Sequence, residues 1–496
     1  MQRLSCTSAW PVHGREGIQT LEAQLQACSP IPLMAKAGLA TAQLALAVAP
    51  HAQRIWVAAG PGNNGGDGLE AAMHLHQWGK EVKVSLLGQA QNLPADAHAA
   101  WQRAKAAGVQ ITSQRPAGWL EDMGPLDLCI DALLGMGASR PLSPEMQAWV
   151  QALNRCPAQV LAIDLPTGLN PESGQLLGDA SDTALLVQAD HTLSFIAVKP
   201  GLFMGHGRDA CGDIWLDRLG FQEGANAPSP LAWLNDRKPR PGKTHASHKG
   251  SHGDVAVIGG EPMAAHGMGM AGAAVLAATA ALRAGAGRVI LSLLSGQATD
   301  NAPPDLMQRN WRQLDLAQLH VVCGCGGGQD VQAVIPEVLQ RSAQLVLDAD
   351  GLNAVAQDER LQHLLQQRAS GHPTVITPHP LEAARLLKIS TTQVQKDRLK
   401  AAQDLMSLFR CTVVLKGSGT VIAAPGQTPR INTSGNGRLA TGGTGDVLAG
   451  LIGARMAQGL SAFDAACSAV AQHGQVANDW PENQALTASD LAQHLA

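Results

Sequence analysis

From residue 54 to about 215, short apolar runs alternate with stretches in which apolar positions recur every three or four residues. RIWVAA (54–59), EVKVSLL (81–87), LDLCIDALLG (126–135), QVLAIDLP (159–166) and HTLSFIAV (191–198) read as strands, with LEAAMHLHQW (69–78) helical between the first two. This rhythm predicts a parallel sheet covered by helices, with ligands at the carboxyl ends of the strands. It stops between about 222 and 250, where EGANAPSP and NDRKPRPGKTHASHKG read as a polar, Pro/Gly-rich connection.

The rhythm then restarts. DVAVIGG (254–260), RVILSLL (288–294), HVVCG (320–324), QLVLDADG (344–351) and TVITPHP (374–380) read as strands, and AGAAVLAATAALRAGAG (271–287) as an Ala-rich helix packed close to a sheet. Two β-rich runs flank a turn in TVVLKGSGTVIAAPG (412–426), and a helical C-terminus follows the glycines at 442–445. The expected organisation is α/β throughout: a three-layer domain over 1–225, a connection over 226–250, and a second three-layer domain over 251–496.

Composition narrows the function. The 496 residues carry 36 Lys plus Arg against 40 Asp plus Glu, a net charge of −4, and no basic tract. Nucleic acid and anionic membrane surfaces are therefore not expected partners. No apolar run reaches the length of a membrane span, and the opening MQRLSCTSAWPVHGREG has no long apolar stretch, so a cytoplasmic location is expected. The nine cysteines are scattered, with Cys323 and Cys325 as a lone C-x-C pair, and are read as reduced thiols, that pair as buried small hydrophobes. Tyr is absent, so no step can use a phenol.

Two constellations carry chemistry. In GPGNNGGDG (60–68), Gly60, Gly62 and Gly65 match a phosphate-binding turn between a strand and a helix, but no acidic residue ends the second strand to hold a ribose. Asn63, Asn64 and Asp67 add more polar side chains than a turn requires. Asp131 and Asp164 end two further strands, and oxygens from Asn64, Asp131 and Thr167 suit a hard cation. In the second half, Gly442, Gly443 and Gly445 precede a helix beginning near Asp446, which predicts an anion hole with a carboxylate at its mouth. No Lys-Ser/Thr follows, so this is not a Walker loop; Asp446 is the candidate base for a hydroxyl being phosphorylated.

The strings PGNNGGDG, DALLGMGASRP, IDLPTGLNPESG and ADHTLSFIAVKPGLFMGHGRDACGDI resemble the NAD(P)HX epimerase domain, over about residues 10–220. The resemblance implies a Rossmann-like fold that interconverts the R and S forms of hydrated NADH and NADPH. It implies a potassium ion at Asn64, Asp131 and Thr167. The hydrated nucleotide would lie on Asn63, Asn64, Gly65, Gly66 and Asp67 and on Gly135, Met136, Gly137, Ala138, Ser139, Arg140 and Pro141, with Asp164 as acid/base. Thr167 stands where the family commonly has Ser, and Ala35 where it has a Glu.

The GTGD element around Asp446 resembles ribokinase-like kinases. HKGSHGDVAVIGG, GMAGAAVLAATAALRAGAG, DADGLNAV, TPHPLEAARLL and KGSGT narrow the likeness to the ADP-dependent NAD(P)HX dehydratases, from about 230 to the end. That implies a ribokinase-like fold, ADP as co-substrate and Mg²⁺ for phosphoryl transfer. It implies AMP contacts at Lys416, Gly417, Ser418, Gly419, Thr420 and Gly445, and hydrate contacts at Ala273, Gly326, His379 and Asp446. Leu381 replaces a usual Gly, and Gly324-Cys325-Gly326-Gly327-Gly328 a usual Gly-Pro-Gly-Leu-Gly.

The expected protein is a bifunctional repair enzyme acting on NADHX and NADPHX, as a homo-oligomer. Two rivals are weighed: a ribokinase-like vitamin-precursor kinase, and a chain whose N-terminal half is only a nucleotide-binding scaffold. Phosphate release together with recovered dihydronicotinamide absorbance separates the first rival from repair, since a simple kinase yields neither.

Overall fold

The computed structural model describes residues 1–5, 8–178, 185–222, 224, 227–236, 244–263, 267, 269–368 and 371–495. Cys6 and, within the expected connection, residues 226 and 237–243 lie outside the described residues. The chain forms two compact units, essentially Trp10–Ala232 and Trp233–Ala496.

The first unit opens with helices α1 (Arg15–Cys28) and α2 (Leu33–Val48), then alternates: β1 (Arg54–Ala59), α3 (Asn63–Gln77), β2 (Glu81–Leu86), α4 (Ala95–Ala106), β3 (Gln110–Thr112), β4 (Leu128–Ala132), α5 (Pro144–Arg155), β5 (Gln159–Ile163), β6 (His191–Phe195) and β7 (Asp213–Asp217). The sheet order is β3-β2-β1-β4-β5-β6-β7, all parallel, with Gln2–Arg3 antiparallel outside β7. This is the Rossmann-like order, and it reverses between β1 and β4. The central strands are buried on both faces, as runs without polar alternation require.

The second unit contains β8 (Asp254–Gly259), α6 (Ala271–Arg283), β9 (Arg288–Leu293), β10 (His320–Cys323), α7 (Ile335–Arg341), β11 (Gln344–Leu347), α8 (Ala349–Gln357), β12 (Thr374–Ile376), α9 (Pro380–Leu387), α10 (Arg398–Phe409), β13 (Thr412–Leu415), β14 (Val421–Ala423), β15 (Arg430–Ile431), α11 (Thr444–Ala457), α12 (Ala462–Asp479) and α13 (Ala488–Gln493). Its sheet runs β9-β8-β10-β11-β12-β13-β14-β15; the strands are parallel as far as β13 and antiparallel from there. The order reverses between β8 and β10. Trp233 and Leu234, expected within the connection, instead pair in parallel with β15.

Helix α11 is buried nearly all round. A Cβ on Gly450 would stand 1.9 Å from the Ala277 carbonyl oxygen of α6, and one on Gly453 2.5 Å from a Val322 methyl of β10. Glycine costs helix propensity, but here it lets α11 touch a helix and a strand at once. The alanines of α6 complete that contact.

Among the described residues no single helix is long and apolar enough to cross a membrane. The eight described cysteines are free.

Candidate active sites

The first site lies where the first sheet reverses. A Cβ on Gly60 would fall 1.8 Å from the Leu133 carbonyl oxygen, and one on Gly65 1.9 Å from that of Gly60. Glycine alone permits this approach, which seats the start of α3 against the loop after β4. No side chain caps α3, so its first N–H groups are left for a ligand.

A cavity of ≈ 880 Å³ opens there. Its walls are Asn63, Asn64 and Asp67 of α3, Gly135–Ala138 after β4, Asp164 after β5 and Lys199 after β6, with Arg15 and Glu22 of α1. The expected residues Gly65 and Gly66 are buried within α3, and Ser139, Arg140 and Pro141 are exposed; none of these five lines the cavity.

Asp164 holds a left-handed backbone, φ 70°, a strain of about 1–3 kcal/mol that a well-determined surrounding must hold in place. Its Oδ2 accepts the Met136 N–H at 3.0 Å, and its Oδ1 lies 2.5 Å from Lys199 Nζ. Arg15 donates to the Met136 carbonyl at 2.8 Å and so secures the same loop. Burial, then the charge of Asp164, pushes both Glu22 and Asp67 upward, Asp67 strongly. Asp164 is thus one of four carboxyl groups lining the cavity, with Glu22, Asp67 and Asp96, and the one in an ion pair with a lysine among the described residues.

Asp131 is fully buried behind this wall. Its carboxylate accepts the Thr167 N–H at 2.7 Å, the Thr167 hydroxyl at 2.8 Å and the Leu133 N–H at 3.2 Å. Burial raises it to about 6, against the lowering effect of those bonds. The side-chain amide of Asn64, also buried, has an unpartnered nitrogen. The side-chain oxygens of Asn64, Asp131 and Thr167 are the hard donors that a potassium ion takes.

The second site lies at the carboxyl ends of the second sheet. Gly443, at φ 92°, precedes α11, and no side chain caps that helix. The Thr444 hydroxyl bonds back to the carbonyls of Leu439 and Thr441 at 2.8 and 2.9 Å, and buried His473 donates to the Thr444 carbonyl at 2.9 Å. Together they fix the first turn while its N–H groups face outward with about half a positive charge.

Asp446 sits in that turn. Burial, then the charge of Asp348, raises its carboxyl to about 6; the Cys325 thiol and Lys416 pull it down. Lys416 Nζ lies 2.6 Å from Asp348 Oδ1, and a Cβ on Gly445 would be 3.3 Å from Lys416 Nζ. Burial works against the charge on Lys416, but Asp348 and Glu382 outweigh it and the amine is raised. Ligand atoms of Cys325, Asp348 and Asp446 lie within 4.8 Å of one another. The two carboxylates suit Mg²⁺ beside phosphates; the thiol does not.

Ala273 and Gly326 adjoin, since a Cβ on Gly326 would be 2.8 Å from that of Ala273. His379 caps α9: its Nδ1 accepts the N–H groups of Leu381 and Glu382, while Glu382 accepts the His379 N–H at 2.8 Å. Leu381 fits this box without needing the conformational freedom of a Gly. The Lys416 N–H donates to the Pro378 carbonyl at 2.9 Å, joining the TPHP turn to the loop Lys416–Thr420. In that loop Gly417 and Ser418 are exposed.

Sequence reasoning missed Lys199, Arg15, Glu22, Asp348 and the placement of Cys325 beside Asp446. Cys325 is buried as expected, and its thiol is held well above its usual range by burial and the surrounding carboxylates. Glu22 brings a carboxyl to the cavity in a chain where Ala35 lacks one. Its only signal in sequence was a place on an amphipathic first helix.

Comparison with known proteins agrees with this anatomy. Residues 31–201 match the family model "YjeF-related protein N-terminus" and residues 255–496 match "NAD(P)H-hydrate dehydratase". The bifunctional NAD(P)H-hydrate repair enzyme of Coxiella burnetii is 36% identical over 489 residues, 94% of each chain. The chain belongs to the bifunctional NAD(P)H-hydrate repair enzymes. The Escherichia coli repair enzyme is likewise 36% identical, over 90% of this chain and 84% of that one. A Bacillus subtilis ADP/ATP-dependent NAD(P)H-hydrate dehydratase, co-crystallised with ATP/Mg²⁺, overlays 52% of this chain and 92% of its own, at 28% identity and TM-score 0.42. Like its relatives, this repair enzyme joins an epimerase domain to a dehydratase domain.

Proposed function

We propose that the first unit epimerises C6 of (R)- and (S)-NAD(P)HX through Asp164, and that the second uses ADP to dehydrate the S form through Asp446. The epimerase domain would span 1–225 and the dehydratase domain 251–496, with Trp233 and Leu234 of the intervening 226–250 pairing into the second. The observation that carries the reading is a carboxylate site at the sheet reversal of each unit, in a chain similar over nearly its whole length to bifunctional repair enzymes.

In the epimerase cavity the hydrate lies against Asn63, Asn64, Asp67 and Gly135–Ala138, with its phosphates toward α3. Asp164, beside Lys199, takes the proton of the C6 hydroxyl as the C6–N1 bond opens to an aldehyde and passes it to N1; rotation about C5–C6 and closure of N1 on the other face of the carbonyl, with the proton returned to oxygen, inverts C6 with no net change of atoms or electrons. Asn64, Asp131 and Thr167 would hold potassium, which would supply positive charge beside the bound anion.

In the dehydratase, the loop Lys416–Thr420 and Gly445 hold the adenylate, and Ala273, Gly326 and His379 flank the hydrate. Asp446 takes the proton of the C6 hydroxyl as that oxygen attacks the terminal phosphorus of ADP and AMP leaves. The N–H groups of α11 and the amine of Lys416 stabilise charge on the moving group. Phosphate is a far better leaving group than hydroxide. Its C6–O bond breaks with help from the ring nitrogen, the C5 proton departs, and NAD(P)H and phosphate result. Magnesium would be held at Asp348, beside Asp446, and would supply positive charge to the nucleotide phosphates.

The test is a mixed R/S hydrate incubated with ADP and Mg²⁺. Complete recovery of dihydronicotinamide absorbance, with one phosphate released per molecule, is expected. Recovery that stops at the S fraction refutes the epimerase; recovery of neither, with a stable phosphate ester, returns the vitamin-precursor kinase.

A further inference from the structure

Lys199 is a buried ionisable group at the epimerase cavity that the mechanism above leaves without a task of its own. Its side chain is 1% exposed although it follows an apolar strand. An ammonium so placed must have every proton accounted for. It has three, and three acceptors surround it: Asp164 Oδ1 at 2.5 Å, Ser194 Oγ at 2.9 Å and the Phe195 carbonyl at 3.2 Å. Ser194 in turn donates its own proton to the Ala197 carbonyl at 3.1 Å. The chain Ala197, Ser194, Lys199, Asp164 is closed at its inner end, and every member is satisfied.

This count separates two roles. A lysine acting on substrate needs a free N–H or a free lone pair at the cavity, and Lys199 has neither. What reaches the cavity is the carboxylate it grips, of which Oδ2 is held by one backbone N–H alone. The same grip opposes release of the left-handed backbone at Asp164. Of the four carboxyl groups lining the cavity, Asp164 is the one held in a buried ion pair among the described residues.

We propose that Lys199 is a positioning residue of the epimerase, clamping Asp164 Oδ1 so that the carboxylate stays aimed at the substrate. This rests on the assignment of Asp164 as the acid/base group. Because the ion pair is buried, removing one partner strands the other and releases the aim of the carboxylate at once.

The experiment uses the full-length chain with (R)-NADPHX as substrate, and dehydration of (S)-NADPHX in the same molecule as the folding control. Lys199→Met is expected to lower kcat for R-hydrate consumption at least 100-fold while KM changes less than threefold. The double variant Lys199→Met with Asp164→Asn is expected to be no slower than Asp164→Asn alone, because the lysine acts through that carboxylate. Lys199→Arg, which keeps the charge, is expected to recover at least tenfold over Lys199→Met. Wild-type kcat in Lys199→Met overturns the proposal, and so does a further loss in the double variant. If Lys199→Met melts the first unit, Lys199→Arg decides: a folded Lys199→Arg as slow as Asp164→Asn also overturns it. Full R-hydrate turnover in Asp164→Asn would instead sink the assignment of Asp164, a result that is read separately.

Discussion

At the scale of single residues, both sites use burial to set the charge of a carboxyl. Asp446, raised to about 6 by burial and Asp348, is mostly ionised at neutral pH and accepts a proton readily. Dehydration should therefore lose half its kcat near pH 6 and fall further as acidity increases, since only the ionised form is a base; a kcat–pH profile under saturating ADP checks this. Asp446→Asn should lower kcat by about 10²- to 10⁴-fold, the usual contribution of a general base, with the R/S exchange rate unchanged. Gly135→Ala tests the first site. Its new Cβ would stand 3.0 Å from Asn64 Oδ1 and 3.1 Å from Asp164 Oδ2, so epimerisation should fall at least tenfold while dehydration of S-hydrate persists. Asp131 and Asp164 were legible because charges at the ends of apolar strands need a reason. Lys199 was not, because in FIAVKPGL it reads as the first polar residue after a strand, and only the fold turns it inward.

At the scale of elements, the strand and helix rhythm was readable and the boundaries were less so. The sequence places the first helix at 69–78, but α3 starts at Asn63. Asn and Gly are poor helix formers, and their helical state here follows from packing against the sheet. The strand expected over 344–351 ends at Leu347, because α8 begins at Ala349 and makes Asp348 its N-cap position. That junction brings Asp348 to Lys416. The contact of α11 with α6 supplies the element-scale prediction. Gly450→Ala puts a methyl 1.9 Å from a backbone oxygen, where nothing flexible can yield. Overpacking of this kind costs about 1–3 kcal/mol or more, so thermal unfolding should show the second unit destabilised by at least that amount.

At the scale of the whole molecule, two carboxylate sites belong to two separate compact units. Each should survive inactivation of the other. A mixture of the Asp164→Asn and Asp446→Asn chains should convert a mixed hydrate completely, whereas Asp446→Asn alone converts none and Asp164→Asn alone stops at the S fraction; end-point absorbance reads all three. The two-unit organisation was visible in the break of the hydrophobic rhythm, but the role of residues 233–235 was not. Trp233 and Leu234 bond to β15, and Asn235 donates to Asn432 at 3.1 Å and to the Cys467 carbonyl at 2.9 Å. Anyone excising the dehydratase at the point where its sequence rhythm resumes would leave β15 as a bare ribbon margin, open to pairing between molecules. A fragment opening at residue 251 should accordingly self-associate on sizing columns more strongly than one opening at Trp233, which keeps the pairing with β15 and the Asn235 bonds.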